Sequence, residues 1–175
     1  IWNGQGKTVF TISSNFSKLT FRDDRFIKRL EEISDKYHVQ RNYLEIEITE
    51  SANFTNLDTL VTRINQIRDS GFRVAMDDFG VESSNLALLS LVKFDILKID
   101  KGFVKDIISN KRAQIIIGMM TRMCSEMGIQ LVAEGIEDGQ QLEVLREYGV
   151  KTVQGYLFSR PISISEYEEK YMQGP

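Results

Sequence analysis

Residues 72–80 read FRVAMDDFG, and this stretch decides the fold class. The apolar run Phe72–Met76 has the length of a strand, and a glycine that can end a helix, Gly71, precedes it. Short runs that are apolar throughout are typical of strands buried on both faces, as in parallel sheets. Two adjacent aspartates, Asp77 and Asp78, then follow at the point where the predicted strand ends.

The same pattern recurs along the chain, with amphipathic stretches between the apolar runs that predict helices. The predicted strands are Thr8–Ser13, Tyr43–Ile48, Phe72–Met76, Phe94–Ile99, Ile129–Ala133 and Lys151–Phe158. Strand, crossover helix and strand in repetition predict an α/β fold with parallel pairing. Two architectures fit, an open doubly wound sheet or a (β/α) barrel, and a closed barrel of this class needs eight strands.

The composition narrows the function classes. The chain has 175 residues, of which 42% are hydrophobic and 27% charged, as in a globular domain. The net charge of −3 gives no basic field for nucleic acid, so we expect neither DNA nor RNA as a partner. One cysteine, Cys124, excludes an internal disulfide and favours a cytoplasmic location, while membrane tethering of a longer parent protein stays open.

Polar residues occur at or near the C-terminal end of every predicted strand, and parallel strands place those ends on one rim, which is the active face of barrels. They are Asn15, Glu47, Glu50, Asp77, Asp78, Lys98, Asp100, Glu134, Glu137 and Gln154. Carboxylate and amide oxygens suit Mg²⁺ or Mn²⁺, and two such ions can clamp a phosphodiester. Any one of these residues alone could simply cap a helix, but clustered carboxylates need cations to relieve their repulsion.

Six motifs occur in order between Thr8 and Pro161: NFS, EIEITES, AMDDFG, ILKID, VAEGIE and VQGYLFSRP. Together they resemble the EAL-domain family of cyclic di-GMP phosphodiesterases. The resemblance implies a TIM-like barrel that hydrolyses cyclic di-GMP to linear pGpG with Mg²⁺ or Mn²⁺ in bacterial second-messenger signalling. It also implies a homodimer, and a parent protein with upstream sensor or GGDEF-type domains.

Matched motif by motif, the resemblance implies a role for each rim residue. The implied metal ligands are Asn15, Glu47, Asp77, Asp78 and Glu134, with Asp77 bridging two ions. Lys98 would hold the attacking water, Glu134 would share in catalysis, and Glu50 would brace the loop after the DDFG strand. Gln154 would support the metal shell, and Gln154 and Asp100 would bind the substrate. The role of Glu137 stays open.

The sequence departs from the family in two places. It contains no Glu-Ala-Leu, whose glutamate is a metal ligand in the family. We therefore interpret residues 1–175 as a single, partial EAL domain with about six of eight strands, and expect it to have little or no activity by itself. An open barrel exposes strand edges, so we expect aggregation, strand swapping, or completion by the parent protein.

The second departure is the loop Val81–Asn85, where the family has a second glycine and an aromatic residue. Glu82 and Ser83 stand at those positions. This loop favours an alternative hypothesis, a degenerate EAL module that binds cyclic di-GMP or a protein partner without hydrolysing it. The metal-binding residues favour the enzyme.

Overall fold

A computed structural model of the chain describes residues 10–17, 20–21, 23–49, 57–80 and 86–172. Its strands are β1 (Ile12–Asn15), β2 (Leu44–Thr49), β3 (Arg73–Phe79), β4 (Ile96–Ile99), β5 (Gln130–Ala133) and β6 (Thr152–Val153). Its helices are α1 (Phe26–Lys36), a 3₁₀ turn (Arg41–Tyr43), α2 (Leu57–Asp69), α3 (Leu86–Leu91), α4 (Lys101–Val104), α5 (Lys111–Met127), α6 (Gly139–Glu147) and α7 (Ile164–Tyr171). Among the described residues, no helix has the length and apolar character needed to cross a bilayer.

The six strands form one sheet in the order β1-β2-β3-β4-β5-β6, and every neighbouring pair is parallel. A doubly wound sheet reverses its strand order at a switch point, whereas a barrel adds each strand beside the previous one. The order therefore selects the barrel architecture over the open doubly wound sheet.

All six strands differ from the predicted bounds at one or both ends, and β1, β3 and β6 differ most. β1 begins at Ile12 rather than Thr8, and residues 8–9 lie outside the described part of the chain. β3 continues through both aspartates to Phe79 because pairing with β4 resumes there. β6 is only Thr152–Val153, since the chain leaves the sheet at Gly155, where a side chain would collide with the backbone of Ile136.

Three helices end at glycines, as the sequence predicted for Gly71. Gly128 ends α5 with a left-handed φ of 70°, and Gly71 and Gly149, which follow α2 and α6, have φ of 91° and 83°. Glycine adopts these angles without the Cβ clash that other residues meet, so each helix can stop and feed the next strand directly.

The two faces of the sheet bury different kinds of side chain. Ile46, Val74, Leu97 and Leu131 alternate along the strands and join the large core beneath the helices. The intervening residues face the other way, which we call the inner face, and include a small apolar cluster of Ala75, Ile96 and Val132. Because side chains alternate, each strand supplies both the helix-facing core and the concave interior of the half-barrel.

A line of hydrogen bonds crosses the inner face near the N-terminal ends of the strands, and we call it the inner polar chain. Ser13 donates to Glu45 at 2.5 Å, and Arg73 bonds Glu45 at 2.7 Å. Arg73 also donates to Gln130 at 2.9 Å, and Gln130 donates to Thr152 at 3.3 Å. Arg73 and Gln130 lie on β3 and β5, so this contact over β4 requires the sheet to curve towards its inner face.

Candidate active site

The two adjacent aspartates lie in a bulge of β3. Met76 is paired with Leu97 and Phe79 with Ile99, so Asp77 and Asp78 together stand opposite the single residue Lys98. Asp78 has a φ of 55°, in the left-handed region that few residues other than glycine adopt. Consecutive side chains of a regular strand point to opposite faces, whereas a bulge re-aims one of them. Both carboxylates can therefore reach the same site.

Lys98 is at the centre of the site and contacts carboxylates from three other strands or strand ends. Its Nζ donates to Glu47 Oε1 on β2 at 2.6 Å and lies 2.7 Å from Glu134 Oε1, directly after β5. Asp77 Oδ1 on β3 is 3.2 Å away. Lys98, Glu47 and Asp77 are all buried. One ammonium group thus gathers carboxylates from positions 47, 77 and 134.

The neighbouring carboxylates keep the Lys98 ammonium charged. Burial by itself would lower the pKa of Lys98, but the hydrogen bonds to Glu134 and Glu47 outweigh it and raise the pKa above its usual value. Without a metal ion, these carboxylates therefore favour the charged form of Lys98, which donates hydrogen bonds to them.

The carboxylates carry more negative charge than one ammonium can balance. Burial raises the pKa of Glu134, although the hydrogen bond from Lys98 opposes the shift. Burial also raises the pKa of Asp78, and the charge of Asp77 raises it further. In both groups the folded protein disfavours the ionised form, as expected where like charges crowd together without a further cation.

The same groups fit a divalent metal ion. Asp77, Asp78 and Glu134 each offer a carboxylate oxygen, and these three atoms lie within 4.8 Å of one another. Asp77 Oδ1 is buried and accepts no hydrogen bond from any described residue, despite its proximity to Lys98. A buried acceptor without a donor is costly, and a hard cation is the partner that three such oxygens suit.

The structure places the remaining predicted residues around this cluster. Asn15 ends β1 in register with Glu47 and is exposed. Asp100 follows β4, and its Oδ1 accepts the Gly102 backbone N–H at 2.7 Å, which caps α4. Gln154 extends the ladder after β6, with its N–H donating to Ala133 at 2.8 Å. Glu50 and the loop 81–85 lie outside the described residues.

An open cavity of about 330 Å³ adjoins the carboxylates. Asp78, Asp100, Glu134, Glu137 and Gln154 line it, so it brings together five residues that the sequence placed on the rim. Their roles as ligands or catalytic groups stay predictions. The concave, polar shape provides space for a ligand directly beside the candidate metal ligands.

Sequence reasoning missed several residues of this cavity, which is also lined by Lys101, Gly135, Gly155 and Tyr156. Gly135 and Gly155 belong to motifs quoted above, and both are closely approached. A side chain at Gly135 would overlap that of Lys101, and one at Gly155 would overlap the backbone of Ile136. Glycines next to the motif acids were the signal for these close contacts.

Comparison with known proteins gives the family. The family model described as EAL domain matches residues 2–161. The chain belongs to the EAL domain family. The predicted membership and TIM-like fold are confirmed, the described part being a half-barrel of six parallel strands with helices.

This EAL domain resembles both curated proteins and solved structures. Cyclic di-GMP phosphodiesterase NbdA of Pseudomonas aeruginosa is 39% identical over 127 residues, which is 73% of this chain and 16% of NbdA. The EAL domain of Mycobacterium smegmatis DcpA superposes with a TM-score of 0.91 at 32% identity, covering 96% of this chain and 76% of that one. BlrP1 of Klebsiella pneumoniae, in a manganese and cyclic di-GMP complex, gives 0.83 at 30% identity, covering 90% and 40%.

The chain spans 16 to 23% of the length of NbdA and seven other curated relatives. Those relatives therefore contain much more chain than the matched region.

Proposed function

We propose that the chain carries the catalytic face of a phosphodiesterase that hydrolyses cyclic di-GMP to linear pGpG with the help of divalent metal ions. The observation that carries this proposal is the buried acceptor Asp77 Oδ1 within a cluster of carboxylates beside an open cavity. Relatives named cyclic di-GMP phosphodiesterases and a manganese-containing structural neighbour support it.

Asp77, Asp78 and Glu134 would hold the metal, with Glu47 and Asn15 beside them on β2 and β1. Mg²⁺ and Mn²⁺ both suit oxygen ligands of this kind. When bound, such ions polarise phosphoryl oxygens and lower the pKa of water. The carboxylates are held in place by strand pairing and by Lys98, so the site is formed before any ion arrives.

Lys98 would supply positive charge to the reacting phosphate. Its ammonium is buried among the carboxylates, where a hydrogen bond is stronger than in water. From this position it can donate to the attacking water or to a phosphoryl oxygen on which charge develops. Because Lys98 contacts Glu47 and Glu134, it also fixes the distance between them.

The cavity next to the carboxylates would bind the nucleotide. Lys101 on its wall offers a positive charge for a phosphate. The exposed ring of Tyr156 also borders the cavity, and the Arg160 guanidinium lies 4.7 Å from the ring centroid. Aromatic rings and arginine planes are the usual stacking partners of bases, so this corner suits a guanine.

A second function competes with the first. A degenerate module that binds cyclic di-GMP, or a protein partner, without cleavage is favoured by Glu82 and Ser83, which replace a glycine and an aromatic residue of the family pattern. Binding without metal-dependent turnover would support this alternative.

We also propose that the protein acts in the cytoplasm and as a homodimer.

The test is hydrolysis of cyclic di-GMP under single-turnover conditions, with protein in excess so that slow cleavage is detected. We would measure pGpG with Mn²⁺, with Mg²⁺ and with EDTA, for the chain and for a form extended by a Glu-Ala-Leu strand. We expect metal-dependent pGpG, faster in the extended form, that Asp77→Asn abolishes. Glu126→Gln is the matched control, since Glu126 is exposed on α5. Equal turnover by Asp77→Asn and wild type would contradict the assignment.

A further inference from the structure

Gln141 is a buried glutamine that bonds two different loops of the site. Its Oε1 accepts the backbone N–H groups of Glu137 at 2.9 Å and Asp138 at 3.1 Å. Its Nε2 donates to the backbone carbonyls of Val104 at 3.4 Å and Lys105 at 3.5 Å. Gln141 is 8% exposed, and its bond to Val104 is buried while the other three are partly buried.

The two segments joined in this way, one containing α4 and one following β5, both line the cavity. Residues 134–138, after β5, contribute Glu134, Gly135 and Glu137 to the lining. Residues 100–105, after β4, contribute Asp100 and Lys101. Close to the strands, the bond from Glu134 N–H to Ile99 and the close approach of Gly135 to Lys101 join the two segments. Further from the strands, the Gln141 amide bridges residues 137–138 and 104–105.

Helix capping explains only part of this arrangement. The bond from Asp138 N–H to Gln141 completes a capping box at the start of α6. An exposed glutamine would suffice for that purpose, and capping needs no donation to Val104 and Lys105. The Nε2 group of Gln141 makes contacts outside α6, with the carbonyls of Val104 and Lys105.

We propose that Gln141 is a positioning residue, which holds the walls 100–105 and 134–138 of the cavity at a fixed separation for the nucleotide. The proposal rests on the proposed function, because it concerns the binding of that substrate. The reacting centre is held differently. Glu134 N–H donates to Ile99 on β4 at 3.1 Å, and Glu134 bonds Lys98, so strand pairing fixes the carboxylates. Loss of the Gln141 bridge should therefore weaken substrate binding and leave the chemical step nearly intact.

The experiment compares two variants with a control. Gln141→Leu removes both the acceptor and the donor, whereas Gln141→Glu keeps the acceptor for Glu137 and Asp138 and removes the donor. Gln140→Leu changes the exposed neighbour on the same helix. Amide hydrogen exchange of the full chain is measured without substrate, and KM and kcat for cyclic di-GMP are measured with Mn²⁺.

For Gln141→Leu we expect exchange to accelerate about tenfold at the amides of both loops, with β3 and β4 unchanged. For Gln141→Glu we expect acceleration at Phe103 and Lys105 but continued protection of Glu137 and Asp138. Both variants should raise KM about fivefold while kcat changes less than about twofold. The lost positioning weakens the binding of substrate and of transition state equally, so the barrier from bound substrate to transition state is unchanged. Gln140→Leu should behave as wild type.

Unchanged loop exchange in Gln141→Leu would overturn the proposal. Uniform acceleration in every strand would also overturn it, since Gln141 would then support the fold in general. Local acceleration with an unaltered KM would refute the link to the cavity. If the wild type and its extended form release no pGpG, the proposed function fails, and the exchange pattern still decides whether Gln141 couples the two loops.

Discussion

Lys98 on β4 and Glu47 on β2 form a 2.6 Å hydrogen bond although their strands are not neighbours. On the intervening strand β3, Ala75 is in register with Glu47 and with Ile96, two residues before Lys98, and its small side chain is fully buried. The sheet curves towards its inner face, and a small residue on the intervening strand lets the two long side chains meet above it. The candidate active site is therefore a product of barrel curvature.

Replacement of the central cation should destabilise the metal-free protein. Lys98→Met keeps the length of the side chain but leaves buried Glu47 and Asp77 without their counter-charge. We expect the free energy of unfolding to fall by about 3 kcal/mol, measured by urea denaturation in EDTA. Addition of MnCl₂ should raise the urea concentration at the unfolding midpoint more in Lys98→Met than in wild type. The metal would then relieve more repulsion between the carboxylates.

Lys93→Met is the control for this prediction, since Lys93 is exposed just before β4. Its stability should stay within about 0.5 kcal/mol of wild type. Equal stabilities for Lys98→Met and wild type in EDTA would show that the carboxylates do not need the ammonium.

Neutralisation of Asp78 should stabilise the metal-free fold at neutral pH. The pKa of Asp78 is raised on folding by burial and by Asp77, so the folded state binds the proton more tightly. Stability is then lost as the pH rises from the unfolded pKa, about 3.9, through the higher folded pKa. Asp78→Asn removes this loss.

Thermal unfolding in EDTA measures the effect of Asp78→Asn. At pH about 7 we expect a higher melting temperature than in wild type, and a difference that shrinks towards pH about 4. Asp106→Asn, at an exposed aspartate after α4, should show no such trend. A lower melting temperature for Asp78→Asn at neutral pH would contradict the prediction.

Addition of one methyl group at Gly80 should disturb the end of β3. Gly80 has a φ of 98°, and a Cβ there would overlap the ring of Phe103 on α4. Backbone strain and overpacking together should lower the free energy of unfolding by about 2–4 kcal/mol in Gly80→Ala. Denaturant titration measures it.

Gly139→Ala offers a matched glycine substitution, because a Cβ at Gly139 meets no atom within 4 Å. It starts α6, where alanine is the better helix former, so its stability should equal or slightly exceed that of wild type. A double variant, Gly80→Ala with Phe103→Leu, should be less affected than the sum of the two single changes if the ring is the obstacle.

The inner polar chain should stabilise the sheet. Arg73→Met removes the bonds to Glu45 and Gln130 and leaves the carboxylate of Glu45 largely buried. We expect a loss of about 1–2 kcal/mol on thermal unfolding. In a double-mutant cycle with Glu45→Gln, a coupling energy near zero would show that the Arg73–Glu45 pair has no role in stability.

Local sequence predicted much of this fold because its signals are local. Apolar runs such as Phe72–Met76 predicted strands, and Gly71 marked a helix end through its tolerance of positive φ. The repeated strand and helix order required parallel pairing. Asp77, Lys98 and Glu134 were predicted on one rim because parallel strands place their C-terminal ends together.

By itself, then, the sequence determined which side chains reach the rim of the barrel. Parallel strands place their C-terminal ends on one rim, and side chains alternate between the two faces with a period of two residues. Only the tertiary structure decided how those side chains meet. The bulge that turns Asp78 towards Glu134 depends on the pairing of β3 with β4, and the Lys98–Glu47 bond depends on curvature over Ala75. The bridge made by Gln141 depends on the packing of α6 against the end of α4. Such contacts join residues far apart in the chain, so no local pattern can record them.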